Sequence, residues 1–319
     1  MKNLVSIVTI TYNQESELAD CIEGVLKQDL SLIKEYIIAD DASNDGTKKI
    51  IEKYHGEYPE LIKPIYRAKN LGIRENILNC WKSCNAKYIA SCAGDDIWID
   101  KNHIAKQVQK LEKNYNYNLI GTNSIRWLLN KNKYNLKDKP LPGKTLSPVD
   151  YLIGGPIVGS TYIWRNNISE ELFDIYKNHG DTRFYMYLAY KGAFYDRRSI
   201  STIYRVSKHG AFLSENSSNE IRINNYIGKI YNNNIFDKYS EGQYSIEIKK
   251  ANNILIRRII KNCLRAGKFF DALVFFYRYD YSISNSQIKR FVFKIIKLFL
   301  SIFDGYLMKS YNRKVIKSI

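Results

Sequence analysis

Two adjacent carboxylates, Asp95 and Asp96, stand in the stretch "SCAGDDIW", after an apolar run and before an Ile and a Trp. With no His beside them and the one Cys of the stretch, Cys92, inside the apolar run, such hard oxygen ligands suit Mg²⁺ or Mn²⁺ and disfavour Zn²⁺. Magnesium usually completes its shell with water and substrate phosphates, so one or two protein carboxylates predict a phosphorylated ligand. An alternative, in which the pair only caps the following helix, is equally compatible with these residues alone.

The elements that must position this pair alternate between strand and helix signals over the first hundred residues, from "LVSIVTITY" to "YIASCA". Such alternation predicts parallel strands joined by crossover helices. "YIIAD" and "YIASCA" are almost unbroken apolar runs, which is typical of strands covered on both faces. We therefore expect an α/β fold with a mostly parallel central sheet and flanking helices.

Polar residues cluster where four of these predicted strands end. In chain order the clusters are Asn13, then Asp40 and Asp41, then Asn70 and Gly72, then Asp95 and Asp96. Ligands of open α/β sheets bind outside the carboxyl ends of the strands, so the clusters are expected to converge on one crevice. Solvated loops are a simpler explanation for any single cluster.

Length and composition bound the class of protein. The 319 residues are 45% hydrophobic, enough for a real core in one large or two ordinary domains.

Five cysteines without a C-x-x-C pair predict neither a disulfide framework nor a zinc site, and favour a reducing compartment. The start "MKNLVSIVTITYN" lacks a small-residue cleavage site and predicts a first strand, not a signal peptide. "NKNKYNLKDKPLPGKTLSP" is rich in Lys, Asn and Pro and predicts a surface loop or insertion.

The formal charge of +17 is concentrated at the end of the chain. Residues 221–319 contain 19 Lys and Arg against 6 Asp and Glu, and they are predicted to be helical. A polar stripe runs along an otherwise apolar helix near the end: Arg290, Lys294, Lys297, Ser301 and Asp304. This pattern fits an in-plane helix on an anionic lipid surface, or alternatively a core helix.

Glycine-rich phosphate loops are missing after the first strand, where "TITYNQESE" stands instead. Four motifs in order, "VSIVTITYNQESELADCIEGVLKQ", "IIADDASNDGT", "NLGIREN" and "YIASCAGDDIW", resemble the family 2 glycosyltransferases of GT-A fold. The resemblance extends from residue 4 to about 210. It implies an inverting enzyme with a Rossmann-like GT-A fold that uses a nucleoside-diphosphate sugar with Mg²⁺ or Mn²⁺.

The resemblance also implies roles for individual residues. Tyr12 and Asp41 correspond to the pair that stacks on and hydrogen-bonds the nucleotide base, with Asp40 beside them. Asn70, Arg74 and Asn76 lie in the segment that borders the nucleotide and diphosphate, and Arg74 is a candidate phosphate contact.

Asp95 and Asp96 correspond to the ribose and metal ligands, and we expect both to contribute. The family usually has another acid two residues before the metal ligand, where this chain has Ala93. That departure leaves the division of roles between Asp95 and Asp96 open.

"HGDTRFYMYLAYKGAFYDRRSISTIYRVSKHGA" resembles the segment that carries the general base of the family, which nominates Asp181. A helix N-cap is the alternative role for Asp181, and the two roles are geometrically compatible. Asp174 and Glu171 fall within a predicted helix and are weaker candidates.

His209 stands where relatives often have a His near the diphosphate, and is a further candidate metal ligand. Trp98 and Trp164 are expected to pack beneath the site.

These observations predict a GT-A domain over residues 1–220 and a basic helical region over residues 221–319. Within the domain, residues 1–122 would bind the nucleotide sugar and residues 123–220 would face the acceptor. The expected acceptor is a glycan or lipid-linked glycan of bacterial surface polysaccharide synthesis. The expected location is cytoplasmic, peripheral on the inner face of the inner membrane, with no nucleic-acid partner.

Two other classes of protein are compatible with parts of this sequence. A nucleotidyltransferase acting on sugar phosphates would carry a Gly- and Arg-rich loop after the first strand. A basic protein that binds nucleic acid or membrane without catalysis would explain the charge. Its nucleic-acid form would need a basic-aromatic motif, which is absent.

Overall fold

The computed structural model describes residues 2–155, 157–206 and 218–279. The chain divides into two compact units. The first contains residues 1–151 and 155–210, and the second contains residues 152–154 and 211–319.

The first unit opens with four strands and three helices that alternate along the chain. They are β1 (Val5–Thr11), α1 (Leu18–Leu26), β2 (Ile33–Asp40), α2 (Thr47–Glu57), β3 (Ile62–Tyr66), α3 (Ile73–Ser83) and β4 (Tyr88–Ser91). The pairs β1–β2, β2–β3 and β1–β4 are all parallel, so the strand order begins β3-β2-β1-β4. The prediction of parallel strands with crossover helices is therefore confirmed.

The remaining elements of the first unit extend and cover this sheet. They are β5 (Ile97–Trp98), α4 (His103–Lys113), β6 (Leu119–Leu128), β7 (Lys133–Leu136), β8 (Lys144–Leu146), β9 (Ile163–Arg165), α5 (Glu170–His179), α6 (Asp181–Tyr190) and β10 (Ala193–Val206). The order continues β9-β6-β10-β5, with β6 and β10 parallel and the pairs around them antiparallel. The result is a single mixed sheet with helices packed against it.

Apolar helix faces cover the sheet on both sides, as the nearly unbroken apolar strands predict. On one face, α1, α2 and α4 pack on β1, β2 and β4 through residues such as Ile22, Ile51 and Ile104. On the other face Trp81 of α3 stacks on Phe184 of α6 at a ring distance of 4.9 Å. Each helix therefore has a defined position relative to the strand ends that carry the polar clusters.

The Lys-, Asn- and Pro-rich segment, predicted as a surface loop or insertion, contains two short strands. Part of it forms β7 and β8, which pair antiparallel with β6 and β10. All four residues of β7 are exposed. Backbone pairing with a neighbouring strand stabilises these strands although their own residues have weak strand preference.

The second unit contains three helices within its described residues: α7 (Asn219–Tyr239), α8 (Ser245–Arg265) and α9 (Phe269–Tyr279). Ile227, Leu255, Ile259 and Phe275 belong to a separate apolar core that these helices share. The helical character predicted beyond residue 220 is present. The stripe from Arg290 to Asp304 lies outside the described residues. In the described part of the chain, no helix is long and apolar enough to span a bilayer.

Candidate active site

The polar clusters after β1, β2, β3 and β4 lie at one edge of the sheet. The register pairs Thr11 with Asp40 and Asp40 with Tyr66, so three strands end side by side. The Gly94 N–H donates to the Ile10 carbonyl over 3.1 Å, which fixes the loop after β4 beside the end of β1. The predicted convergence on one edge is therefore confirmed, and it lies entirely within the first unit.

Tyr12, directly after β1, is exposed at this edge, with 45% of its surface accessible. The turn after it is held in place by the segment that follows β2. Asn13, at φ 52°, accepts at Oδ1 from the Asn44 N–H over 2.8 Å, and its own N–H donates to Ser43 Oγ over 2.8 Å. The Tyr12 ring thus stands on a rigid base and is free to stack on a planar ligand.

Asp40 and Asp41 are both buried, and their carboxylates shape the adjoining loops. Asp40 accepts from the N–H and hydroxyl of Ser43. Asp41 accepts from the N–H groups of Leu71 and Gly72 over 2.8 and 2.9 Å. Because each carboxylate oxygen has a second lone pair, each oxygen of Asp41 retains the capacity to accept one further hydrogen bond.

Asn70 contributes to the same turn, since its Oδ1 also accepts from the Gly72 N–H over 2.9 Å. Gly72 has φ 80° and precedes α3, a conformation that favours glycine. Asn76 is buried within α3, where it accepts from Arg67 Nε and donates to the Ala39 carbonyl. Asn76 therefore supports the loops from inside, whereas Asn70 lies at the edge.

Arg74 lies next to Asp181, far from it in sequence. The guanidinium donates a long hydrogen bond of 3.5 Å to the Lys177 carbonyl at the end of α5. A Cβ added to Gly180 would be 3.4 Å from Arg74 Nη2. Burial, the largest effect, raises the pKa of Asp181, and the charge of the Arg74 guanidinium opposes that rise. Two residues predicted separately are thus neighbours in the fold.

Asp181 is the first residue of α6 and follows Gly180, the N-cap residue, which has φ 82°. Its Oδ1 accepts from the N–H of Thr182 over 2.6 Å. Burial raises the pKa of this carboxyl above its ordinary value, and the Thr182 hydrogen bonds only partly oppose that rise. A carboxylate with a raised pKa is suited to accept a proton near neutral pH.

Asp96 is buried and Asp95 is partly exposed. Ser160, in the turn before β9, donates its hydroxyl to Asp96 Oδ2. Burial raises the pKa of Asp96 strongly, and the charge of Asp95 adds to the rise. The pKa of Asp95 is also raised by burial, while a hydrogen bond from the Gln14 side chain opposes the rise. Two charges held this close are disfavoured unless a cation accompanies them.

The charges of the carboxylate pair and of Asp181 all act on Tyr204 of β10. Burial raises the pKa of its phenol, and the charges of Asp96, Asp95 and Asp181 all add to the rise. The three carboxylates are therefore within electrostatic reach of one tyrosine.

Unpartnered polar atoms around the Asp95–Asp96 loop allow a test of whether these residues fit a metal ion. Thr11 Oγ1, Gln14 Oε1 and Asp96 Oδ1 are buried and have no hydrogen-bond partner among the described residues. The described residues contain no cluster of three or more His, Cys, Asp or Glu side chains arranged as metal ligands. Two carboxylates with spare oxygens fit Mg²⁺ or Mn²⁺ that completes its shell with phosphates and water.

Replacing Gly94 by alanine is expected to disturb this loop. The added Cβ would overlap Gln14 Oε1 and lie 3.1 Å from Thr11 Oγ1. We expect Gly94→Ala to lower the free energy of unfolding by about 1–3 kcal/mol, as overpacking generally does, and to displace Gln14 from Asp95. Urea unfolding measures the effect. Gly56→Ala is the control, because nothing lies within 4 Å of its added Cβ in α2. Equal stability of the two variants would contradict the prediction.

Three site residues escaped sequence reasoning: Gln14, Ser160 and Arg205. Each contacts a residue of the Asp95–Asp96 loop, but the partners of Ser160 and Arg205 are 64 and 110 positions away. Gln14 was visible in "TYNQESE" only as a polar turn residue. Trp98 and Trp164 are buried as predicted. His209 lies outside the described residues.

Comparison with known proteins supplies the family. Residues 6–173, just over half of the chain, match the model of the family described as Glycosyl transferase family 2. The chain belongs to glycosyl transferase family 2. The matched region of this family 2 chain contains all the loops described above, up to the start of α5, whereas Asp181 lies beyond it.

Several relatives match about a third of this family 2 chain. The uncharacterized protein Rv1520 of Mycobacterium tuberculosis is 40% identical over 109 residues, which are 34% of this chain and 32% of Rv1520. WfgD of Escherichia coli, named as a UDP-Glc:alpha-D-GlcNAc-diphosphoundecaprenol beta-1,3-glucosyltransferase, is 32% identical over 128 residues. That match covers 38% of this chain and 49% of WfgD, so the chain spans about a third to a half of these relatives.

Solved structures share the fold over most of the chain. Staphylococcus aureus TarS, residues 1–349, has a TM-score of 0.58 at 15% identity and covers 87% of this chain and 81% of its own. The mannosyltransferase PcManGT of Pyrobaculum calidifontis, solved with GDP-Man and Mn²⁺, has a TM-score of 0.57 at 12% identity. It covers 100% of this chain and 86% of its own. At such identities the likeness extends to the fold alone.

Proposed function

We propose that this family 2 member is an inverting glycosyltransferase that transfers a sugar from a nucleoside-diphosphate sugar to a hydroxyl of a glycan or lipid-linked glycan. One observation carries the proposal. A carboxylate pair with a buried unpartnered oxygen and a separate buried carboxylate of raised pKa lie within electrostatic reach of the same tyrosine, Tyr204. The carboxylate pair would provide ligands for a cation that binds the diphosphate. The separate carboxylate would provide a base for the acceptor hydroxyl.

The donor would bind along the sheet edge, in the half formed by residues 1–122. Tyr12 offers a ring for the base to stack on, and Asp41 offers a hydrogen-bond acceptor beneath it. Asn70 shapes the turn that borders the nucleotide, with Asp40 holding the loop after β2. Arg74 provides a positive charge for the diphosphate close to Asp181. These roles follow the family motifs, and the placement of the side chains supports them.

Mg²⁺ or Mn²⁺ bound by Asp95 and Asp96 would neutralise charge on the departing nucleoside diphosphate. Asp95 is partly exposed and faces the solvent side, so it is also placed to accept from a ribose hydroxyl. Asp96 is held by Ser160 and directs its unpartnered Oδ1 into the buried part of the loop. A metal ion is therefore assigned chiefly to Asp96, with Asp95 sharing it.

Asp181 would act as the general base. In an inverting transfer the acceptor oxygen forms a bond to the anomeric carbon while the bond from that carbon to the diphosphate breaks on the opposite face. The acceptor proton passes to the Asp181 carboxylate in the same step. The Thr182 N–H holds one carboxylate oxygen, so the other remains available for the acceptor.

The acceptor would be bound by residues 123–220, which include the β6–β7 hairpin and α6. WfgD acts on a diphosphoundecaprenol-linked sugar by its name, and TarS has been solved with UDP-GlcNAc. The name of WfgD supports a lipid-linked acceptor, which we assign to the synthesis of a bacterial surface polysaccharide. The basic region from residue 221 supports a peripheral position on the cytoplasmic face of the inner membrane.

A donor screen tests the proposal directly. UDP, GDP and dTDP sugars are added with Mn²⁺, and thermal unfolding is followed with and without EDTA. We expect one nucleotide class to raise Tm only when Mn²⁺ is present, because a ligand at 100 times its Kd adds about 2.7 kcal/mol. If no nucleotide sugar shifts Tm with either Mn²⁺ or Mg²⁺, the proposed function is wrong.

A further inference from the structure

Arg205 is a buried arginine at the end of β10, with only 6% of its side chain exposed. Its guanidinium reaches three places that are distant in sequence. Nη1 donates to the Asp95 carbonyl over 3.3 Å and to the Glu17 carbonyl over 3.4 Å. Nη2 forms an ion pair with Asp20 on α1. One side chain thus joins β10, α1 and the loop that carries the carboxylate pair.

The contacts of Arg205 suit arginine and no other cation. A guanidinium has five N–H donors in a fixed plane, so it can serve two carbonyls and a carboxylate at once. Its carbon also lies 5.6 Å from the centre of the Trp127 ring on β6, which packs against that plane. Lysine has a single compact ammonium group and cannot keep all these partners simultaneously.

Arg205 acts on the two carboxylates through the backbone, without direct contact between the side chains. Its bond to the Asp95 carbonyl restrains the backbone from which Asp95 and Asp96 both project. Asp20, in turn, is 55% exposed, so its pairing with Arg205 contributes orientation more than stability.

We propose that Arg205 is a positioning residue that holds the Asp95–Asp96 loop against the start of α1, and that Asp20 orients its guanidinium. The proposal rests on the proposed function, because loop position matters to the reaction only if this loop binds the metal and the nucleoside diphosphate. It extends that function to two residues, Arg205 and Asp20, that lie outside the predicted ligand set.

Hydrogen exchange of the ligand-free protein tests, independently of any activity, whether Arg205 restrains the Asp95–Asp96 loop. Arg205→Lys and Asp20→Asn are expected to increase deuterium uptake in a peptide covering residues 92–99. The peptide covering β2 serves as the internal reference for global unfolding. Glu23→Gln is the matched control, since Glu23 is on the same helix with 53% of its side chain exposed and is expected to leave uptake unchanged. Unchanged uptake in both test variants would overturn the proposal.

Nucleotide binding then tests the link to the reaction. With Mn²⁺ and the nucleoside diphosphate found by the donor screen, Arg205→Lys and Asp20→Asn are expected to raise Kd about 10- to 100-fold, as loss of outer-shell partners of metal ligands does. Glu23→Gln should keep the wild-type Kd. Faster exchange with an unchanged Kd would overturn the positioning role. If the wild type binds no nucleotide, the proposed function fails, while the exchange experiment still decides whether Arg205 restrains the loop.

Discussion

Asp181→Asn is expected to reduce kcat/KM by a factor of about 10²–10⁴, the usual contribution of a general base, while leaving Mn²⁺-dependent nucleotide binding intact. The amide can still accept the Thr182 N–H, so the start of α6 should be preserved. What it cannot do is take the acceptor proton. Transfer assays with the donor identified by thermal screening, together with nucleotide titrations, measure the two effects separately.

The same substitution has a predicted signature in stability. Burial gives Asp181 a higher pKa in the folded chain than in the unfolded chain. The folded state therefore binds more protons between the two pKa values, and stability falls as the pH rises through that window. Above it the cost of the buried charge is fully present. Since the amide carries no charge, Asp181→Asn should have the higher Tm at pH 7–8, with the difference shrinking toward pH 4.

Asp174→Asn is the matched control for both effects. Asp174 is exposed on α5, one helix away from Asp181. Its loss should change neither turnover nor the pH dependence of Tm. A wild-type transfer rate in Asp181→Asn, or an equal loss in Asp174→Asn, would exclude Asp181 as the base. Loss of activity with a lower Tm at neutral pH would instead indicate that Asp181 serves the fold.

Asp96→Asn is expected to weaken metal-dependent nucleotide binding by at least about 100-fold, because even outer-shell partners of metal ligands contribute 10- to 100-fold. The amide oxygen can still accept from Ser160, and the loss of a buried charge should raise the Tm of the ligand-free protein at neutral pH, as for Asp181→Asn. Only the site for the cation is removed. Isothermal titration of the nucleoside diphosphate with Mn²⁺, and again with EDTA, measures the metal-dependent part.

Asp100→Asn controls for the loss of one aspartate in the same region. Asp100 pairs with Lys106 over 2.7 Å and lies beyond β5, outside the carboxylate pair. An ion pair of this kind contributes little to stability, and its loss should leave the metal-dependent Kd unchanged. Equal binding by wild type and Asp96→Asn would show that the metal is not held there. A stronger loss in Asp95→Asn than in Asp96→Asn would reverse the assignment between the two residues.

Arg74 illustrates how the fold combines two halves of the proposed site. The sequence places it in the segment "NLGIREN", near the expected diphosphate. The structure adds that the same guanidinium lies against Gly180, directly before the proposed base. A charge shared between leaving group and base would help keep Asp181 ionised when the donor is absent, since it lowers the pKa that burial raises.

The sequence by itself determined the α/β class, the parallel start of the sheet and the strand ends that carry polar residues. Those features follow from local signals: apolar runs of strand length, amphipathic helices, and loop residues directly after them. The family motifs around Tyr12, Asp41, Asn70 and Asp95 are local in the same sense. Each can be read within about ten residues, so no knowledge of the fold was needed to find them.

Only the tertiary structure decided which of these groups meet. Ser160 reaches Asp96 across 64 positions, and Arg205 reaches Asp20 across 185. Similarly, β7 became a strand by pairing with β6, although its exposed Lys and Asn residues predict a loop. Hydrophobic periodicity reports that a face is buried but not what covers it. Hydrogen bonds and ion pairs between distant segments leave no periodic trace, so the support of the carboxylate pair emerged only from the folded chain.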